Sequence, residues 1–241
     1  LELVIVDDYE AISRAAADRI ATCVKTNPAA NVVLATGSSP IGAYRDLARR
    51  QAEGTFDPSR LRVFQLDAYL GLGPDDRRSL YRWLAEAFLD PLGIRPSQVV
   101  RLPGDAPDPQ AVCKAFDDAV TAEGGFDLSV LGVGMNGHLG FNEPPADPNS
   151  HTRVVDLTEA SLDSNAEYWG GRDLVPRRAI TAGMAGLLAA RQTLVLVSGA
   201  RKHDILRRTV EGPQTSEVPA SFLQGAANVT VIADRAAWDG L

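Results

Sequence analysis

With 241 residues, 45% hydrophobic and 23% charged, the chain has material for one large α/β domain and an ordinary water-soluble composition. Its net charge of −7 and pI of about 5.0 argue against a general affinity for nucleic acid or anionic lipid. No apolar run approaches the roughly 20 residues that a membrane span needs.

The opening LELVIV contains a first predicted strand, 3–6, and is too short for a secretory h-region. Residues 8–25 then place Ile12, Ala15, Ala16, Ile20 and Cys23 on one stripe, the pattern of an amphipathic helix. NVVLA (31–35) reads as a strand, followed by a helical stretch over 40–52. LRVFQL (61–66) is the next strand, then a helix over 79–90, the strand QVVRL (98–102) and a helix over 109–122. DLSVLGV (127–133) and TRVVDL (152–157) are strands separated by EPPADPNS (143–150), whose prolines forbid a continuous helix. A helix over 182–190, the strand TLVLVS (193–198), a helix over 202–211 and the strand NVTVIA (228–233) complete the series. Several of these strands are apolar nearly throughout, as strands buried on both faces are. The alternation predicts a mostly parallel sheet with helices on both sides, organised as one domain over 1–241. Segment 159–176, with Gly170 and Gly171 at its centre, is the least regular part and reads equally as a lid or a surface insertion. Cys23 and Cys113 lie in apolar helical patterns without CxxC spacing, which predicts reduced core thiols and a cytoplasmic setting.

Ligands of open α/β sheets bind at the carboxyl ends of the strands. Four strand ends here carry polar or glycine-rich residues. In LATGSSPIG, Thr36, Gly37, Ser38 and Ser39 precede a helix predicted near Pro40, with Ser38 or Ser39 as cap; backbone N–H groups there can hold a phosphate. The alternative is an ordinary strand-to-helix cap. In VFQLDAYLGL, Asp67 follows a strand directly, as a general base or as a turn residue. In LGVGMNGHLGFNEPP, Gly132, Gly134 and Gly137 mimic a dinucleotide fingerprint, with Asp156 19 residues on, but no helix can follow Gly137 in HLGFNEPPADP. That stretch reads instead as a loop presenting Asn136, His138, Asn142 and Glu143, where imidazole and carboxylate can shuttle a proton near neutral pH. In LVLVSGARKHDIL, Lys202 opens a helix after a strand and can neutralise a phosphate held by the Ser38 turn. No metal-ligand spacing, GxSxG elbow or reactive cysteine setting is present in the sequence.

Together LATGSSP, QLDAYLGL, GVGMNGHLGFNEP and SGARK resemble the glucosamine-6-phosphate deaminase (isomerase) family over nearly the whole chain. The resemblance implies a three-layer α/β/α sandwich of modified Rossmann type and no organic cofactor, and the missing ligand spacings predict no metal. It implies a small sugar phosphate as substrate, with the oligomeric state open between monomer and homo-oligomer. The implied reaction turns a hexosamine 6-phosphate (glucosamine or an epimer such as galactosamine) and water into a ketohexose 6-phosphate and ammonia. Asp67 matches the base that moves a proton between C2 and C1, His138 the ring-opening group and Glu143 its assisting carboxylate. Asn136 matches a ring-opening position, and Thr36, Gly37, Ser38, Ser39 and Lys202 match the phosphate site. Two related outcomes on the same fold are a 6-phosphogluconolactonase-like lactonase and a non-catalytic sugar-phosphate sensor. Two departures bear on the sugar: Ala68 stands where the family has an acid, and NAEYW, with Glu167, stands where many members carry a lid arginine. Arg153 and Arg172 are candidates to replace that arginine. The chain ends without the extension of allosterically regulated members, which predicts simple kinetics.

Overall fold

The computed structural model describes residues 1–240, apart from the side chain of Glu167. The fold centres on a sheet of β1 (Glu2–Val6), β2 (Asn31–Leu34), β3 (Arg62–Gln65), β5 (Val99–Val100), β6 (Leu128–Gly132), β9 (Thr193–Val197) and β10 (Val229–Asp234). They run in the order β1–β10–β9–β6–β2–β3–β5, every pair parallel. The remaining strands, β4 (Asp67–Tyr69), β7 (Arg153–Asp156) and β8 (Arg178–Thr181), form a separate antiparallel sheet in the order β4–β8–β7.

Alternate side chains of each main strand feed opposite faces. Val32, Leu34, Val63, Val130, Leu194, Leu196 and Ile232 pack with α1 (Tyr9–Thr26), α2 (Ser38–Ala52) and the segment from α3 (Leu80–Leu84) to Leu89. Val33, Phe64, Leu131, Val195 and Val231 pack on the other face with α4 (Pro109–Ala122), α6 (Met184–Leu188), α7 (His203–Val210) and α8 (Arg235–Asp239). The predicted three layers are therefore present. Each fully buried side chain such as Phe64 or Leu131 contributes roughly 1.5–3 kcal/mol relative to exposure.

Three details depart from the sequence reading. The strand expected over 152–157 is β7, outside the parallel sheet, because its partner β8 runs antiparallel to it. β4 and β8 themselves are too short, at three and four residues, to give a periodic signal. The helix expected near Pro40 starts at Ser38, and its cap is Gly37, not a serine. Gly37 sits at φ 101 and ψ −175, a conformation that a residue with a Cβ strongly disfavours.

Segment 159–176 holds α5 (Glu159–Trp169) and a short turn at Arg172–Leu174. Leu162, Trp169 and Val175 pack with Tyr69, Phe141, Leu157 and Ala179 in a third, smaller cluster. Tyr69 meets Trp169 edge to face at 5.1 Å, and Arg78 lies over the same indole at 5.1 Å. α5 is thus attached to β4, the strand that begins with Asp67.

Candidate active site

In the main sheet β2 is flanked by β3 on one side and by β6 on the other, so the chain reverses its direction of travel between β2 and β6. A crevice opens at the carboxyl ends of such neighbours. Thr36–Ser39 follows β2 and Val133–Gly137 follows β6, so two of the glycine-rich segments flank one crevice. β9 lies beside β6 and delivers the Ser198–Lys202 turn to the same edge.

The two arms of the expected phosphate site converge on the end of β6. Ser39 Oγ is 3.4 Å from where a Cβ on Gly132 would stand, and Lys202 Nζ donates to the Val133 carbonyl at 2.6 Å. Burial, and then the neighbouring Arg201, lower the Lys202 ammonium to about 8. α2 leaves its first N–H groups uncapped by any side chain among the described residues, an arrangement that favours an anion.

Asp67 is buried, and among the described residues its Oδ1 has no hydrogen-bond partner. Burial pushes its carboxyl up to about 7. The backbone on either side is fixed: Gln65 Nε2 donates to the Asp67 carbonyl at 2.8 Å, and Asp67 pairs with Thr181 of β8. Asp67 Oδ2 lies 3.5 Å from the Cβ position of Gly140, two residues from His138.

The loop after β6 continues past Gly137 without a helix, closing instead with a bridge between Leu139 and Asn142, so the dinucleotide fingerprint is a mimic. His138 Nδ1 faces Glu143 Oε1 at 3.9 Å, longer than a hydrogen bond. Burial, and then the Lys202 charge, lower the imidazole to about 4, so it is neutral at pH 7. Glu143 Oε2 accepts from the Thr158 N–H at 2.7 Å, tying this carboxylate to the start of α5. The imidazole packs flat on the backbone, because a Cβ on Gly134 would stand 2.2 Å from His138 Cε1. Gly134→Ala is therefore expected to displace the ring and lower kcat by about a hundredfold with little change in stability. Steady-state kinetics and a melting curve check this.

Asn136 shapes the loop: its Oδ1 accepts from the His138 N–H at 3.3 Å. Asn142, expected to be presented by the loop, is instead fully buried. Its Nδ2 donates to the Leu139 and Ala182 carbonyls, and its Oδ1 accepts from Arg153 Nη1 at 2.7 Å. A buried amide with all of these partners is a strut for the Leu139–Glu143 turn. Arg153 is thereby engaged, and Arg172 is paired with Glu159 and Asp163 on its own segment. Glu167, expected from the resemblance to stand near the lid arginine of many members, has a side chain outside the described residues.

Three supports were missed in the sequence. Thr158 had a signal, since a threonine just before a helix is a capping residue. Thr181 Oγ1 accepts from the Phe141 N–H at 3.0 Å, and Tyr44 donates to the Ala35 carbonyl at 2.9 Å. The first spans 40 residues and the second joins the end of β2 to its own following helix, and no hydrophobic periodicity announces either. Among the described residues no cluster of His, Cys, Asp or Glu is arranged to hold a metal, and no helix is long and apolar enough to cross a membrane.

Residues 7–232 match the family model described as glucosamine-6-phosphate isomerases/6-phosphogluconolactonase. Glucosamine-6-phosphate deaminase of Halothermothrix orenii is 39% identical over 237 residues, covering 98% of both chains. Glucosamine-6-phosphate deaminase 2 of Bacillus subtilis is 37% identical over 236 residues, covering 97% of this chain and 95% of its own. The solved structure of a monomeric glucosamine-6-phosphate deaminase superposes with a TM-score of 0.96 at 35% identity, covering 98% of each chain. The 6-phosphogluconolactonase of Trypanosoma brucei shares the fold, with a TM-score of 0.80 at 19% identity over 100% of this chain and 98% of its own. A parallel sheet with its glycine-rich turns at one crevice, and a sequence match from end to end of the fold, make the chain a member of the glucosamine-6-phosphate isomerase/6-phosphogluconolactonase family.

Proposed function

We propose that this chain is an amino-sugar-phosphate deaminase/isomerase, converting glucosamine 6-phosphate and water to a ketohexose 6-phosphate and ammonia. The observation that carries the reading is the buried Asp67 carboxylate, unpaired at Oδ1, beside the His138–Glu143 loop. Relatives of 37–39% identity that bear the deaminase name support it over the lactonase alternative, whose structures share only the fold. A lactonase also needs no base at C2.

In this reading Thr36–Ser39 and Lys202 hold the phosphate, and the sugar ring lies between Asp67 and His138. Neutral His138 takes the C1 hydroxyl proton and returns one to the ring oxygen, opening the ring. Glu143 stabilises the imidazolium that forms in between, its Oε1 closing from 3.9 Å to hydrogen-bond distance. Asn136 keeps the loop in shape. The Asp67 carboxylate removes the C2 proton and delivers it to C1, giving a ketimine that water hydrolyses to ketone and ammonia. Segment 159–176 serves as a lid, its movement felt by Glu143 through Thr158. The two buried free cysteines support a reducing, cytoplasmic location.

Ammonia release from glucosamine 6-phosphate by purified protein tests the reading. Galactosamine and mannosamine 6-phosphates should turn over more slowly, and no turnover on any of the three would refute it. The kcat/KM should rise with pH through a limb near 7, the free-enzyme Asp67 carboxylate, with no His138 limb between pH 5 and 8. A profile with no limb near 7, flat down to the His138 limb near pH 4, would show that Asp67 is an ordinary solvated acid.

A further inference from the structure

The turn that precedes α2 is bracketed by two carbonyl groups, those of Ala35 and Ser38. Each accepts from a tyrosine hydroxyl: Tyr44 reaches the Ala35 oxygen at 2.9 Å, and Tyr9, on α1, reaches the Ser38 oxygen at 2.7 Å. The Tyr9 hydroxyl also accepts from the Gly42 N–H at 3.0 Å. It therefore bridges the two backbone groups, four residues apart, that close the first turn of an ordinary helix. Residue 42 must be glycine for the two helices to meet here, since a Cβ would stand 2.0 Å from Ser13 Oγ. Ser13 Oγ in turn donates to the Tyr9 carbonyl at 2.8 Å and fixes the base of that tyrosine.

An anion site must show N–H groups to its ligand and turn carbonyl oxygens away, because an exposed carbonyl dipole repels the anion. We propose that Tyr9 is a positioning residue for the phosphate. Its hydroxyl, together with that of Tyr44, pins the carbonyls on either side of Thr36–Gly37 and sets the first turn of α2 at the angle that aims its N–H groups into the crevice. This rests on the assignment of Thr36–Ser39 and Lys202 to phosphate under the proposed function. Tyr9 itself touches no substrate atom.

The test compares Tyr9→Phe with Lys202→Met in the full chain, using inorganic phosphate in calorimetry and glucosamine 6-phosphate in kinetics. α2 is helical from Ser38, so its first turn keeps its own hydrogen bonds without the Tyr9 hydroxyl and the fold survives, while the turn loses its anchor to α1 and can shift. Tyr9→Phe should weaken phosphate binding about five- to tenfold and raise KM by a similar factor, with kcat within about twofold and an unchanged melting temperature. Wild-type phosphate affinity in Tyr9→Phe beside a weakened Lys202→Met would overturn the Tyr9 inference alone. Unchanged affinity in Lys202→Met would overturn the phosphate assignment, and the inference with it. A loss in kcat with KM unchanged would also overturn it, since a phosphate-positioning group acts on binding.

Discussion

Asp67→Asn is expected to lose about 10³–10⁴-fold in turnover while gaining stability at pH 8. Both effects have one cause. The carboxyl is buried and titrates at about 7 because ionising it there is costly, yet only the ionised form can take the C2 proton. The sign of the stability effect follows from proton counting. Between the ordinary value of 3.8 and about 7 the folded chain holds a proton that the unfolded chain releases. Stability therefore falls as pH rises through this window, and the penalty is fully present above it. Asparagine keeps the shape and leaves a neutral amide in place of a buried charge. The expected gain at pH 8 is of the order of a few kcal/mol and should vanish below about pH 4. Urea denaturation of both proteins at the two pH values checks this. Equal midpoints at pH 8 would mean that the carboxylate is solvated or paired.

The second large effect falls on ring opening. His138→Gln is expected to lower kcat by about 10²–10⁴-fold on a cyclic substrate. The residual activity should behave differently from that of Asp67→Asn. With the C2 base intact, His138→Gln still consumes open-chain sugar that forms without help. Its rate should therefore level off with rising enzyme concentration, at the uncatalysed rate of ring opening. Asp67→Asn should show no such ceiling, because its defect lies after ring opening. A His138→Gln enzyme within about tenfold of wild type would remove His138 from the role.

Which features the sequence announced follows from the range of the forces involved. The parallel sheet was legible because β2, β6, β9 and β10 are apolar on both faces, and the helices between them repeat their apolar residues at helical spacing. The second sheet was not, since β4 and β8 owe their strand geometry to each other and to β7. The polar residues of the site were legible from their place at strand ends. Their electrical state was not: Asp67 and His138 titrate where they do because of side chains brought in from distant segments. Asn142 misled for the same reason. Its partners Ala182 and Arg153 lie 40 and 11 residues away, so an amide in a polar loop gave no sign of being buried.

The central claim is that one carboxylate, Asp67, carries the carbon-bound proton while the imidazole loop handles only oxygen-bound ones. Glucosamine 6-phosphate deuterated at C2 tests it directly, with the ketose product read by NMR or mass spectrometry. The wild type should break the C2–deuterium bond once for each ammonia released, leaving deuterium at C1 or in water, and Asp67→Asn should break it about 10³–10⁴-fold more slowly. Ammonia release that yields an aldose 6-phosphate still carrying deuterium at C2, or cleavage of that bond by Asp67→Asn at a rate near that of the wild type, would contradict the account.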